Sequence, residues 1–337
     1  MTEMTNENNE RERFIRAYGA MILSRTLDRK IITAQRQGRV GFYTPSMGQE
    51  AGQIGLSMAL DKDDLIFQYY RDVALMIHRG VPVESIINQV MGNNEDSAKG
   101  RQMPSHFMAD EQNFMSVQSP VATNLPLAVG AAYAIKYRKE NKVVVASFGE
   151  GSSSTPDFHA AMNMAAVFDL PIIFFCENNG WAISLPVEKQ TKVDIWKKGE
   201  AYGIKGLYAD GNNIEESYKV AQEAVEHARS GKGPVIFEVR FFRMGPHSTS
   251  DDPTKYQTDI VKEGDDRDPV VINEKLFKEK GFLTDDLIEK IKTESNRIVN
   301  EKFDACEKIP GPAPETAFQD VYEKMPWNIK EQMEDIL

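Results

Sequence analysis

The sequence predicts an α/β protein: a doubly wound, mostly parallel sheet flanked by helices, with a helical C-terminal extension. Three observations carry that expectation. The runs "KVVVASF" (142–148), "PIIFFC" (171–176) and "GPVIFEVRFF" (233–242) are dense in β-branched and aromatic residues and short enough for buried strands. Helical patterns at 155–168 and 214–230 separate them. Strand, helix and strand within 142–176 make a βαβ unit, which implies parallel strands and a right-handed crossover.

Residues 11–36, rich in Arg, Ile, Leu and Ala at helical spacing, read as the first helix, ended by Gly38 to Gly41. Ser46 to Leu60 reads as a second helix carrying the small residues Gly48, Ala51, Gly52 and Gly55. The short aromatic stretch "DLIFQYYRD" (64–72) leads into a helix that ends near Gly80. Gly92 to Phe107 is a long polar loop, and such loops inside compact domains are usually functional or mobile. In the helix Leu125 to Lys139, Pro126 is tolerated in the first turn, and Gly130, Ala131, Ala132 and Ala134 permit close helix approach. Pro156 and Asp157 mark a favourable N-terminus for the helix 155–168. After Arg243, "MGPHSTSDDPTKYQ" is a loop by composition, followed by charged amphipathic helices to about residue 305. Three segments result: a flexible N-terminal piece (1–12), an α/β domain (13–305), and a Pro-rich break with a C-terminal tail (306–337).

Composition narrows the function. The chain has 337 residues, and 40 Lys and Arg against 51 Asp and Glu leave a net charge of −11. That balance argues against a nucleic-acid or anionic-membrane partner. Cys176 and Cys306 imply no disulfide framework and have no zinc-ligand spacing. No apolar stretch approaches the length of a bilayer span. The polar, acid-containing start is unlike a secretory or transit peptide, so a cytoplasmic protein is expected, or a mitochondrial-matrix one if a eukaryotic transit peptide was removed.

In open α/β sheets, ligands bind beyond the carboxyl ends of the strands. Two such ends here carry ligating groups. The first is "FGEGSSSTPDF", with Gly149, Glu150, Gly151 and Ser152 entering a helix; the second is "ENNGW", with Asn178 and Asn179. A helix N-terminus after a Gly-rich turn favours phosphate. The carboxylate of Glu150 and an Asn amide oxygen suit Mg²⁺, which also takes phosphate oxygens. Asn-Asn-Gly alone is also a plain turn. The two motifs at βαβ spacing together point to a metal–diphosphate site.

The stretch from Gly149 to Asn179 resembles the thiamine-diphosphate motif, GDG followed some thirty residues later by NN. With "RQGRVGFYTPSMGQEA", "GRQMPSHF", "SPVATNLPLAVGAAYA" and "GPHSTSDDPTKY", nearly the whole chain is similar to the E1 alpha subunit of 2-oxo acid dehydrogenase complexes. The nearest resemblance is to the branched-chain (2-oxoisovalerate) type. The resemblance implies a thiamine-diphosphate-binding fold and oxidative decarboxylation of a 2-oxo acid, with reductive acylation of a lipoyl group on E2. It implies an α2β2 heterotetramer in which the beta subunit supplies the carboxylate that activates the cofactor's aminopyrimidine. Metal ligation falls on Glu150, Asn179 and the carbonyl of Trp181, and diphosphate contacts on Tyr70, Arg71, Ser119 and His247, with backbone help near Gly149, Gly151 and Ser152. His247 is the implied catalytic residue, Val121 the apolar residue that holds thiamine bent, and a K⁺-type ion would lie around Gln118, Ser119, Pro120, Thr123 and Asn124. Phosphorylation in mitochondrial relatives would map to Ser248, in a loop expected to be mobile until cofactor binds.

Some positions depart from the pattern. Glu150 replaces the usual Asp and keeps a hard oxygen available. Gln118 replaces a common serine, which weighs against the K⁺-type ion. Glu177 stands where some relatives carry an arginine; it would repel phosphate, so its side chain is expected to point away from the diphosphate. His106 either lines the site entry or caps a loop. Pyruvate or acetoin E1 alpha is the near alternative; a Mg²⁺-dependent phosphohydrolase and a scaffold without cofactor are the distant ones.

Overall fold

Each of the three runs read as strands is a strand, and two more join them. In a computed structural model that describes the backbone of residues 2–336 and side chains from Asn9 to Ile336, the strands are β1 (Leu65–Phe67), β2 (Val144–Gly149), β3 (Ile172–Asn178), β6 (Lys205–Asp210) and β7 (Val235–Arg240). They form one all-parallel sheet in the order β1-β2-β3-β7-β6. A small antiparallel hairpin, β4 (Trp181–Ala182) and β5 (Leu185–Pro186), follows β3 directly. β6 has no apolar run because it is a half-exposed edge strand.

The helices are α1 (Thr2–Arg36), α2 (Glu50–Ala59), α3 (Val73–His78), α4 (Val83–Met91), α5 (Asn124–Arg138), α6 (Pro156–Val167), α7 (Ile214–Arg229), α8 (Pro269–Glu279), α9 (Asp285–Cys306) and α10 (Trp327–Ile336). α1 takes in most of the segment assigned to a flexible N-terminus; Met1 and Leu337 lie outside the described residues. None of the described helices is long and apolar enough to cross a membrane.

Alternation along β3 divides the core. Ile172, Phe174 and Cys176 pack with α5 and α6, whereas Ile173 and Phe175 pack with α1, α2, α3 and α7. Helices therefore cover both faces, as a parallel sheet requires. The small-residue face of α2 has a direct cause. A Cβ on Gly55 would meet Ser217 of α7 at 2.6 Å, and one on Gly52 would meet the Phe241 ring at 2.6 Å. Behind α2 a buried ion cluster ties α1 to the start of α8: Arg25 Nε donates to Glu50 Oε1 at 2.6 Å, and its two Nη atoms donate to the Asp268 carboxylate at 3.1 Å each.

Candidate active site

The carboxyl ends of β1, β2 and β3, with the segment after β7, surround a cavity of about 510 Å³. The residues assigned to the metal and the diphosphate line it: Tyr70 and Arg71 after β1, Ser119 and Val121 before α5, Gly149, Glu150, Gly151 and Ser152 after β2, Asn179 and Trp181 after β3, and His247 after β7; of the K⁺-type set, Gln118, Ser119, Pro120 and Asn124 line it and Thr123 does not. Five segments separate in sequence meet, four of them because parallel strands bring their carboxyl ends together.

One lobe is cationic. Arg71 is 1% exposed; its Nη1 donates to Pro45 O at 2.5 Å and its Nη2 to His247 O at 2.7 Å. The same Nη2 lies 3.0 Å from His247 Nδ1. A guanidinium can only donate, so Nδ1 is the acceptor and the imidazole proton sits on Nε2. Burial, then the charges of Arg71 and Arg243, push the His247 pKa down to about 4. His247 is thus a neutral donor at physiological pH, and its ring packs edge-on against Tyr70.

The opposite lobe is a carboxylate with amide and carbonyl oxygens. Glu150 opens a 3₁₀ turn (Glu150–Ser154) and is 2% exposed. Burial holds its pKa above the ordinary range, against the opposing pull of the nearby backbone N–H groups of Glu150 and Asn179. Arg71 and Arg243 act on it at a distance, and it forms no salt bridge among the described residues. A buried carboxylate in that state suits a cation. Asn179 Oδ1 accepts from Trp181 N at 3.2 Å, folding the turn over the cavity. Gly151 is required here, since a Cβ would meet Ala182 at 2.9 Å. The described residues contain no cluster of three His, Cys, Asp or Glu side chains, so any metal would depend on this mixed oxygen set.

Glu177 does not line the cavity. It shares the α2 face of β3 with Phe175, is 0% exposed, and accepts from Gln53 Nε2 at 2.7 Å and Gln49 Nε2 at 3.4 Å. The carboxyl of Asp72 lies beside it and, after burial, raises its pKa further, and Glu177 Oε1 and Asp72 Oδ1 are both buried without a donor among the described residues. Burial raises both pKa values, so the pair favours holding a proton over carrying two charges. Gln53 Nε2 also donates to Arg71 O at 2.9 Å, so this network backs the cationic lobe instead of opposing it.

His106 lies behind the lining, with Nε2 2.5 Å from Ser119 Oγ. The loop at 247–252 is bonded in place: Thr249 N donates to Tyr43 O at 2.8 Å, and Asp251 accepts from His247 N at 2.8 Å. Ser248 is buried. Sequence reasoning missed Arg243, whose Nη1 donates to Ile183 O at 2.9 Å. That bond holds a β-branched residue at φ +55° on the cavity rim, an uncommon conformation for isoleucine. Tyr69, Gln68 and Phe148 also line the cavity, and only their adjacency to the strand ends could have signalled them.

A family described as "Dehydrogenase E1 component" matches residues 18–315. The chain is 39% identical to the human mitochondrial 2-oxoisovalerate dehydrogenase subunit alpha, covering 97% of this chain and 74% of that protein. It is 39% identical to the Caenorhabditis elegans mitochondrial subunit (98% and 77%) and 38% identical to subunit alpha 1 of Arabidopsis thaliana (94% and 68%).

Proposed function

Because this chain belongs to the dehydrogenase E1 component family, we propose that its cavity is the alpha-subunit half of a thiamine-diphosphate site acting on branched-chain 2-oxo acids. The observation that carries the reading is Glu150: a buried carboxylate with no bonded cation, beside Asn179 and Trp181 and across the cavity from Arg71 and His247. Glu150, the Asn179 amide oxygen and the Trp181 carbonyl would hold Mg²⁺. Arg71, Tyr70, Ser119 and His247 Nε2–H would hold the diphosphate, together with the N–H groups near Gly151 and Ser152.

When bound, thiamine diphosphate supplies the carbanion chemistry that takes up the electron pair released on decarboxylation. This chain binds and orients. Arg71 neutralises phosphate charge, and neutral His247 donates a hydrogen bond without first losing a proton. Val121 and Ile183, apolar and more than half exposed, stand at the rim where a covering surface would exclude water. That surface is assigned to a beta subunit, with the acyl group passing to the lipoyl arm of E2. Exposed Leu127, Tyr133 and Tyr137 on α5, with Met164, Val167 and Phe168 at α6, support an apolar protein partner. Gln118 Oε1, buried without a donor, supports a K⁺-type ion beside Ser119. The compartment follows the host: the matrix in a mitochondrial organism, the cytoplasm otherwise.

The test is calorimetric titration of thiamine diphosphate with and without Mg²⁺, then turnover of 3-methyl-2-oxobutanoate, 4-methyl-2-oxopentanoate, pyruvate and acetoin by chain reconstituted with its beta subunit. Glu150→Ala should weaken Mg²⁺-dependent binding at least about tenfold, while Glu150→Asp keeps most of it. Binding indifferent to Mg²⁺, or preference for pyruvate or acetoin, would overturn the reading in its metal or its substrate part respectively.

A further inference from the structure

We propose that Glu238 and Lys198 are positioning residues that brace the loops carrying Glu150 and Asn179 and thereby set affinity for the divalent cation. The inference rests on the reading of the cavity as a metal–diphosphate site, and it concerns residues that do not line that cavity.

The brace starts at one carboxylate. Glu238 lies on β7, facing the same side of the sheet as Cys176 and Asn178, and is 0% exposed. Its Oε1 accepts from Asn178 Nδ2 at 2.6 Å and its Oε2 from Trp196 N at 3.0 Å. Two branches leave from there. Along the first, Asn178 Oδ1 accepts from Gly180 N at 3.0 Å, which closes the turn at Gly180 (φ +84°) and aims Asn179 and Trp181 at the cavity. Along the second, Trp196 belongs to the 3₁₀ segment Ile195–Tyr202, and that segment delivers Lys198. Lys198 Nζ donates to Ser153 O at 3.0 Å and to Ser153 Oγ at 2.9 Å. Ser153 is 1% exposed, inside the turn that begins with Glu150.

Each contact alone could serve stability only. Their arrangement is more specific, because one path of bonds runs from the Asn179 turn through Glu238 and Lys198 to the Glu150 turn. The opposite, diphosphate lobe has separate supports in Pro45, His247 and Gln53. Mg²⁺ demands near-ideal octahedral geometry, so small displacements of its oxygens are costly, whereas the brace makes no contact with Arg71 or His247. Loosening the brace should therefore weaken the metal and spare the anion.

The experiment titrates Mg²⁺ at saturating thiamine diphosphate, and inorganic diphosphate without metal, into the chain reconstituted with its beta subunit and into the same assembly carrying Lys198→Met, Lys198→Arg or Glu238→Gln. Glu238→Gln retains one acceptor oxygen and cannot accept at both. The Kd for Mg²⁺ should rise about 10–100-fold in Lys198→Met and in Glu238→Gln, the Kd for metal-free diphosphate should stay within about twofold, and Lys198→Arg should recover most of the metal affinity. Unchanged Mg²⁺ affinity in both folded variants would overturn the proposal. So would equal losses for metal and diphosphate, or loss of fold in both, because either assigns the pair to stability alone. A wild-type assembly with the beta subunit that fails to bind Mg²⁺ would instead overturn the functional reading beneath it.

Discussion

The first turn of α2 faces two buried carboxylate clusters that solve the same problem differently. On one side Glu50 meets Arg25, and Arg25 also meets Asp268. On the other side Gln49 and Gln53 meet Glu177, which neighbours Asp72. Both clusters are almost completely enclosed. Removing a carboxylate from water costs several kcal/mol unless something offsets its charge. At Arg25 the offset is a permanent cation built into the chain. At Glu177 no guanidinium is in contact: Arg71 is bonded to Pro45 and His247, and the raised pKa values of Glu177 and Asp72 make a retained proton the expected offset. The difference follows position. The Arg25 cluster joins α1, α2 and α8 and includes no residue that lines the cavity, whereas Asp72 is next in sequence to Arg71, which does.

Deleting the cation should therefore be the most damaging change. Arg25→Ala leaves Glu50 and Asp268 buried without a counter-charge and should cost about 3–5 kcal/mol in the urea-unfolding free energy. A loss below about 1 kcal/mol would mean that water already reaches the cluster. Glu177→Ala should cost less, about 1–3 kcal/mol, because it strands the Gln53 and Gln49 amides but removes no charge when the pair holds its proton. The same variant frees Gln53, which fixes the Arg71 carbonyl, so diphosphate binding should weaken as well. Unchanged binding would separate this network from the cationic lobe.

Sequence made parts of this arrangement readable and hid others. β2, β3 and β7 stood out because fully buried parallel strands need unbroken apolar runs, and the motif from Gly149 to Asn179 was legible because one βαβ unit fixes its spacing. β6 was not, since "KGLYAD" at the sheet edge needs no such run, and Gly206 serves to let the Trp196 carbonyl approach, where a Cβ would sit 2.3 Å away. That Glu177 should avoid the diphosphate followed from charge. What it would touch did not, because Gln49 and Gln53 lie 128 and 124 residues away in sequence. Arg243 and Glu238 were hidden for the same reason. A buried charged residue inside or after a strand shows its role only through partners brought in by the crossovers.

The finest test distinguishes a shared proton from an ion pair. Glu177→Gln copies a protonated carboxyl: its amide can donate to Asp72 while its oxygen accepts from Gln53. Near pH 5 the variant should cost less than about 1 kcal/mol. The pH dependence should differ in sign-determined fashion. Burial raises the Asp72 and Glu177 pKa values in the folded chain, so above the ordinary carboxylate range the native state retains a proton that the unfolded chain has released. Stability from the pair is then fully present below the unfolded pKa values, 3.8 for Asp and 4.5 for Glu, and is lost as pH rises through the raised folded values. Glutamine cannot titrate, so the variant should gain on the wild type as pH climbs from 5 to 9 in matched urea titrations. A difference that stays flat across that interval would mean the pair holds no extra proton, and that Glu177 is charged after all with Arg71 as its counter-ion.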